Sequence, residues 1–193
     1  MGATEDTFYS IAAADGLDLT RGVTVGWLSN LGHLNPAIGD DPTAAALRQL
    51  HMDLKGDGYR LASKRAGSSP RLDFVLSTKK LIIEIDEIQH FTSDRLTSLR
   101  AYPSDQDCAF DIEKYCNLAD RWRCRGDRYR AAKMATDFPF PGGRRAQRAY
   151  FDACRDLAAP AHGFRVLRVP VPECDGVLAY RRFTDALEQL PRR

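Results

Sequence analysis

The stretch from Arg71 to Phe91, RLDFVLSTKKLIIEIDEIQHF, constrains the fold of this chain more than any other. Side chains alternate with a period of two on both sides of Thr78-Lys79, which is typical of β-strands. We therefore predict a hairpin with a two-residue turn at Thr78-Lys79. In that register Asp73 lies directly opposite Glu84 on the same face, with about 4.5–5.5 Å between their Cβ atoms.

Two carboxylates in this arrangement repel each other unless a cation or a proton lies between them. The hairpin therefore predicts a metal site at Asp73 and Glu84. The alternative is a solvated hairpin edge with spare acids, which the three consecutive hydrophobic residues before Glu84 disfavour. Asp86 faces Arg71 in the same register. It is either the ion-pair partner of Arg71 or a third metal ligand.

Composition sets broad limits on the function. The chain has 193 residues, 44% of them hydrophobic and 28% charged, which suits one domain with a buried core. No apolar run reaches the roughly 18–20 residues that span a bilayer, and the N-terminus lacks the features of a secretory signal. We expect a cytoplasmic protein without a membrane partner. The five cysteines are an odd number, which favours free thiols over a disulfide framework.

The rest of the chain predicts alternating helices and strands in a single domain, residues 1–193, with a core at 42–170. Residues 1–40 have no clear role; they cover the core, gate a site or bind another subunit. The predicted elements are helices at 7–14, 42–54, 105–119 and 146–157, strands at 59–63 and 164–171, and a closing helix at 177–190. Residues 92–107 are predicted to be a polar connection.

Three stretches carry a resemblance to a known family: LDF around Asp73, IIEIDEIQH from Ile82 to His90, and RAYFDACRDLAAPAHGFRVLRV from Arg148 to Val169. Together with the order of the elements, they resemble the PD-(D/E)XK restriction-endonuclease-like nuclease superfamily. The likeness is closest to its very-short-patch-repair-endonuclease-like branch. It covers roughly residues 42–92 and 144–170. It implies an α/β fold with a restriction-endonuclease-like core, in which helices flank a central mixed sheet of four to five strands.

The resemblance also implies chemistry. In that family the residues matching Asp73 and Glu84 hold a divalent metal together with a backbone carbonyl, here that of Ile85. The expected ion is Mg²⁺, with Mn²⁺ as a substitute, because Mg²⁺ prefers oxygen ligands and uses few protein carboxylates. The metal would activate a water for attack on a phosphodiester, with DNA as the expected substrate.

The chain departs from the family at the third motif residue. The usual Lys two places after the Glu is Asp86 here, and a carboxylate cannot stabilise phosphate charge. Gln89 and His90, by contrast, match a Gln-His pair of the resembled branch. The match implies that His90 acts as a general acid or base, or orients water with Gln89. The alternative is a structural histidine at a strand end.

The missing cation must then come from another element. Arg155 on the amphipathic helix at 146–157 is the first candidate, and Arg148 lies two turns earlier on a similar face. Either is alternatively a surface residue or a partner of Asp152. Many family members complete the site with a helix acid, for which Asp53 is the candidate; the alternative places Asp53 on an exposed helix face.

A basic segment, DRWRCRGDRYRAAK, surrounds Trp122 and Tyr129 with cations. Arginine suits phosphate because its planar fork binds two oxygens at once, and aromatic rings stack on bases. The alternative is a charge-rich helix face paired with Asp120 and Asp127. The predicted nucleic-acid contacts are Arg121, Arg123, Arg125, Arg128, Arg130, Lys133 and Arg148.

We therefore predict a Mg²⁺-dependent endonuclease with Asp73, Glu84, Asp86, Gln89, His90 and Arg155 in its catalytic site. The alternative is a catalytically inactive nucleic-acid-binding or assembly module with the same fold, which Asp86 at the usual Lys position supports. The expected partner is nucleic acid, DNA in the first instance. A homodimer, or a partner subunit of a defence or repair complex, is the further expectation.

Overall fold

The computed structural model describes residues 2–67, 69–173 and 175–190 and has an α/β architecture. Its strands are β1 (Thr20–Val23), β2 (Leu72–Leu76), β3 (Leu81–Asp86) and β4 (Arg165–Pro170). They form one four-stranded sheet in the order β1-β2-β3-β4. The β1–β2 and β2–β3 pairs are antiparallel, and β3 and β4 run parallel. The prediction of an α/β chain with a mixed sheet is confirmed.

Seven α-helices surround the sheet in the described ranges. They are α1 (Ala3–Ala14), α2 (Asp41–Asp53), α3 (Gly58–Ala62), α4 (Ser93–Arg100), α5 (Ile112–Gly126), α6 (Gly143–Ala158) and α7 (Gly176–Gln189). None of these described helices combines the length and the hydropathy that crossing a membrane requires. The predicted helices at 146–157 and 177–190 correspond to α6 and α7.

The central hairpin has the predicted register. Phe74 pairs with Ile83, and Leu76 pairs with Leu81. The turn is closed by the Lys80 N–H, which donates to the Ser77 carbonyl at 3.2 Å across Thr78-Lys79. Lys80 itself adopts a left-handed conformation with φ of 50°. Asp73 and Glu84 therefore lie opposite each other, directly beyond the Phe74–Ile83 pair.

The two faces of the sheet bury different sets of residues. On one face Phe74, Ile83 and Leu167 join the cluster that contains Phe8 of α1 and Phe183 of α7. On the other face Val75, Ile82 and Val166 join the cluster formed with α2 and α6. Because side chains alternate along a strand, Asp73, Glu84, Asp86 and Arg168 belong to the face that α6 covers. These four charged residues thus lie beneath a helix rather than in solvent.

Three predictions of local structure were wrong. Residues 59–63 do not form a strand, because the side chain of Asp57 accepts the Arg60 N–H and starts α3, which leaves Tyr59 exposed. The helix predicted at 105–119 begins only at Ile112 and continues to Gly126. The supposed polar connection at 92–107 contains α4, which Thr92 caps.

Helix α4 was not predicted because half of its buried side is polar. Arg95 and Ser98 are buried there together with Leu96 and Leu99, so the apolar residues make only one short pair in the sequence. At α2 the deviation is smaller: the helix begins at Asp41, one residue before the predicted start, because the side chain of Asp40 accepts the Thr43 N–H at 2.9 Å and caps it.

The N-terminal segment, for which no role was assigned, covers the core. Trp27, Leu28 and Ile38 are buried in the cluster between α2 and α6. The Asn30 side chain donates to the Arg65 carbonyl at 2.9 Å and accepts the Gly67 N–H at 3.3 Å. The segment therefore also holds the loop that leads into the hairpin.

A buried histidine pair connects this segment to α6. His33 Nδ1 lies 2.8 Å from the Tyr150 hydroxyl, and the His51 ring packs edge-on against Tyr150 and Phe138 at 5.0 Å. Burial lowers the pKa of His33 to about 4, and the pKa of His51 is lowered in the same direction and for the same reason. The folded chain therefore resists protonation at both rings.

We predict that His33 makes folding acid-sensitive. Above its ordinary pKa of 6.5 the ring is neutral in the folded and the unfolded state alike. As the pH falls from there towards about 4, His33 becomes protonated in the unfolded state but stays largely neutral in the folded state. This difference lowers the free energy of unfolding by about 3 kcal/mol. The advantage of the wild type over His33→Asn in urea unfolding should shrink by that amount between about pH 7 and pH 4. A difference that stays constant over this range would contradict the prediction.

Candidate functional site

Two carboxylates face each other at the end of the hairpin. Asp73 Oδ2 accepts the Ile85 N–H at 2.8 Å, and Glu84 Oε1 accepts the Asp73 N–H at 3.3 Å. Each carboxylate is thus held by the backbone of the neighbouring strand. Burial raises the pKa of both groups well above the ordinary range of carboxyl groups, and the adjacent Asp73 raises that of Glu84 further. The pair is short of positive charge.

Arg155 supplies one cation to this pair. Its Nε lies 3.3 Å from Glu84 Oε2, its Nη1 donates to Asp152 Oδ1 at 2.9 Å, and its Nη2 donates to the Arg71 carbonyl at 3.3 Å. The Nε is buried and makes no hydrogen bond, so its contact with Glu84 is poorly aligned. The structure therefore brings the predicted Arg155 to Glu84 but leaves donor capacity unused there.

Asp86 has a different partner from the predicted one. Both of its oxygens accept from Arg168 Nη1, at 2.9 and 3.0 Å, and Oδ2 also accepts the Tyr115 hydroxyl at 2.9 Å. The ion pair with Arg71 is wrong, because β2 starts only at Leu72 while the parallel strand β4 places Arg168 beside β3. With both oxygens engaged, Asp86 serves as a buried structural acid.

Arg168 is the centre of a larger buried network. Its Nε donates to Asp156 at 2.9 Å, and Asp156 also accepts from Arg95 and from the Tyr102 hydroxyl, both at 2.7 Å. Arg95, Asp156 and Arg168 are each almost fully buried. Strand β4 and helices α4 and α6 are thereby tied together directly beneath the carboxylate pair.

His90 is held at the rim of this network. Its Nδ1 lies 2.9 Å from Asp152 Oδ2 and 3.4 Å from Asp86 Oδ1. Although burial alone would raise the pKa of Asp152, His90 and Arg168 hold it well below its ordinary value. One carboxylate therefore positions both the predicted histidine and the predicted arginine, because its other oxygen accepts from Arg155.

A pocket of about 450 Å³ opens beside these groups. Residues of α6 form one wall, including Arg148, Phe151 and Arg155, and Asn30 and Lys64 belong to the other. His90 and Asp152 also line it. The pocket thus joins the histidine–aspartate pair to a cationic surface.

Two predicted site residues do not join this constellation. The Gln89 side chain donates to Glu87 at 3.0 Å, and only its backbone carbonyl contacts a pocket residue, accepting from Arg148 at 3.4 Å. Asp53 is exposed on α2, where Gln49 donates to it at 2.9 Å. The exposed-face alternative holds for Asp53 because α2 turns its buried side towards α6 and the N-terminal segment.

The basic segment divides into two parts. Arg121, Arg123 and Arg125 lie on α5, where Arg123 pairs with Asp120 at 3.0 Å. The second part, which contains Arg128, Arg130 and Lys133, follows the helix and approaches the pocket. There the Lys133 carbonyl accepts the Arg144 N–H at 2.9 Å, and the Arg148 guanidinium lies 5.9 Å from the Tyr129 ring. Only this second part adjoins the candidate site.

The donor set is compatible with Mg²⁺ but small. Among the described residues no group of three or more His, Cys, Asp or Glu is arranged to hold a metal ion. Asp73, Glu84 and the Ile85 carbonyl are oxygen donors, however, and Mg²⁺ is commonly bound through only one or two carboxylates, with water and substrate phosphate as the other ligands. Burial raises the pKa of both carboxyl groups, and this shortage of positive charge around the pair fits such an ion.

Comparisons of this chain with protein-family models, with curated proteins and with solved structures found no match. The residues themselves therefore carry any functional assignment.

Sequence reasoning missed the acids and the arginine that organise the site. Asp152 was predicted only as an alternative partner of Arg155, although a spacing of three residues indicates a pair on one helix face. Arg168 lies between Leu167 and Val169 in FRVLRVPV, and a charge flanked by apolar residues is a signal for burial that Arg165 shares. The acidic partners of Arg168 lie on β3 and α6 and leave no local pattern.

We predict that Arg168→Met lowers the free energy of unfolding by about 3–5 kcal/mol, because it leaves Asp86 and Asp156 buried without their main cation. Urea unfolding measures the change. Arg165→Met on the same strand is the matched control, since the Arg165 side chain makes no ion pair within the described residues. Its effect should stay within about 0.5 kcal/mol. Equal losses in the two variants would refute the role of the network.

Proposed function

We propose that this chain is a metal-dependent nuclease of the restriction-endonuclease-like type, which hydrolyses phosphodiester bonds, with DNA as the expected substrate. The observation that carries the proposal is the pair of buried carboxylates, Asp73 and Glu84, on neighbouring strands beside one poorly aligned cation. Such a pair is costly without a further positive charge, and a divalent ion supplies it.

In this proposal Asp73, Glu84 and the Ile85 carbonyl hold Mg²⁺. When bound, the ion would lower the pKa of an attacking water and offset the charge that develops on the phosphate. The Ile85 carbonyl is a suitable third ligand because the N–H of the same residue bonds Asp73, which holds the Ile85 backbone beside the carboxylate pair.

In this proposal Arg155 stabilises the phosphate charge, which is the role of the lysine in the resembled nuclease superfamily. Its guanidinium is fixed at Nη1 by Asp152, and its buried Nε has no hydrogen-bond acceptor. A phosphate oxygen entering from the pocket would provide that acceptor. Asp86 takes no part in the chemistry, since Arg168 and Tyr115 engage its oxygens.

His90 is the proton-transfer group of the proposal. Asp152 bonds its Nδ1, which holds the ring in one orientation at the pocket and leaves Nε2 as the nitrogen for exchange. The arrangement suits proton donation to a leaving oxygen or proton removal from an attacking water.

A second candidate is a nucleic-acid-binding or assembly module without catalysis. Two observations favour it: Arg155 already compensates part of the charge on Glu84, and Asp86 occupies the position of the usual lysine. The two candidates differ in whether the carboxylate pair binds a metal.

We predict that the purified chain cleaves DNA, offered as plasmid and as a single strand, when Mg²⁺ is added, and that EDTA abolishes cleavage. Glu84→Gln should lower the rate at least about 100-fold, because the neutral amide removes a metal ligand while it keeps the size of the side chain. Isothermal titration with Mn²⁺ should show binding to the wild type that is lost in Glu84→Gln.

Glu87→Gln is the matched control, since it makes the same chemical change three residues away, at a side chain whose one hydrogen bond within the described residues comes from Gln89. It should retain wild-type cleavage. Cleavage that survives Glu84→Gln would refute the site. Absence of cleavage of plasmid, single-stranded DNA and RNA, together with absence of Mn²⁺ binding, would favour the binding module.

We predict a positioning role for Asp152. Asp152→Asn should lower the cleavage rate about 10–100-fold, because the amide neither holds the His90 ring as firmly nor stabilises its positive charge. The pH–rate profile should shift, and nitrogen-15 NMR should show a changed tautomer balance at His90. Asp185→Asn, an exposed change on α7, should leave both unchanged. A lower rate with an unaltered pH profile and tautomer balance would indicate a merely structural role.

A further inference from the structure

Two arginines in the pocket have no acidic partner. Arg144 and Arg148 lie one turn apart on α6, and neither lies within ion-pair distance of a carboxylate in the described part of the chain. Arg144 donates to Gln147 Oε1, and Arg148 donates to the Gln89 carbonyl at 3.4 Å. By contrast, Arg145 and Arg155 on the same helix are both paired with acids.

This arrangement is unfavourable for the chain on its own. Like charges four residues apart on a helix repel each other. Burial lowers the pKa of Arg148; the charge of Asp152 offsets part of this shift, and the charge of Arg144 adds to it. An anion bound between the two side chains would relieve both costs, and a phosphate matches the fork of each guanidinium.

The opposite wall of the pocket is fixed. The Lys64 Nζ lies 2.8 Å from the fully buried carboxylate of Asp137, and the Asn30 side chain holds the backbone of the same loop. The space between this wall and α6 is about 450 Å³. Pockets that enclose one small molecule measure about 300–1,000 Å³, so a single nucleotide fits and a double helix does not.

An aromatic ring lies beside the arginines. Phe151 is three residues beyond Arg148 on α6 and lines the same pocket, and the Lys64 Nζ lies 5.7 Å from its ring centroid. A partly exposed ring next to phosphate-binding cations is the combination with which proteins bind unpaired bases.

We propose that this pocket binds one unpaired nucleotide of a nucleic-acid strand, with its phosphate between Arg144 and Arg148 and its base against Phe151. The inference rests on the proposed function and names its substrate class: the enzyme acts on single-stranded nucleic acid, or on a nucleotide displaced from a duplex. The paired bases of an intact duplex cannot enter, so a duplex must first release a nucleotide.

The test measures binding without metal, so its outcome does not depend on cleavage. Fluorescence anisotropy in EDTA compares a fluorescein-labelled oligo(dT) strand with the same strand annealed to oligo(dA). The single strand should bind at least about tenfold more tightly. Arg148→Ala should weaken its binding and reduce the slope of log K against log salt by about 0.7, the value for one single-strand phosphate contact.

Phe151→Leu should weaken binding of the single strand about tenfold while leaving the salt slope unchanged, because stacking releases no counterions. Arg181→Ala, on α7 at the opposite face of the sheet, removes the same charge as Arg148→Ala and should leave binding unchanged.

Equal or tighter binding of the duplex, or an unchanged affinity in Phe151→Leu, would overturn the proposed substrate class. Absence of binding to either form would also overturn it. None of these outcomes tests the proposed metal site at Asp73 and Glu84. That site is tested separately, by Mg²⁺-dependent cleavage and by Mn²⁺ binding.

Discussion

The rest of the structure depends on the buried guanidinium of Arg168. It bonds Asp86 of β3 and Asp156 of α6, and it also contacts Asp152 of α6. An ion buried without its partners costs several kcal/mol, so helix and sheet are stable together only when these groups meet. This requirement fixes the position of α6 over the sheet. The same position brings Arg155 to Glu84 and Asp152 to His90.

The acids on this face of the sheet consequently differ in how far nearby donors compensate their charge. Asp86 and Asp156 are saturated with donors and hold the architecture together. Asp73 and Glu84 receive backbone N–H groups and one poorly aligned arginine, and they remain short of positive charge. Asp152 connects the two sets of acids, because its carboxylate bonds both His90 and Arg155. The proposed site for a metal and a phosphate thus lies directly beside a network that needs neither.

The parts of the fold that follow from local periodicity were predictable. The hairpin register, and with it the juxtaposition of Asp73 and Glu84, comes from alternation and one tight turn. The amphipathic stripes of α6 and α7 likewise identified those helices. Two of the failures share one cause: α4 buries Arg95 and Ser98, and α3 exposes Tyr59, so the polarity of a residue does not indicate there whether it is buried. No pattern along the chain indicates that a charged side chain such as Arg168 will find partners on two other elements.

The sequence by itself determined which carboxylates oppose each other, because strand pairing has a period of two and the turn leaves one register. It also identified Arg155 and His90 as groups of suitable chemistry. Only the tertiary structure decided which acid is free and which is occupied, since the partner of Asp86 lies 82 residues away on β4. It also brought Arg144 and Arg148 to a pocket in which no described carboxylate lies within ion-pair distance of either side chain. Charge compensation depends on the distances between charged atoms in the folded chain, and the spacing of residues along the sequence does not predict these distances.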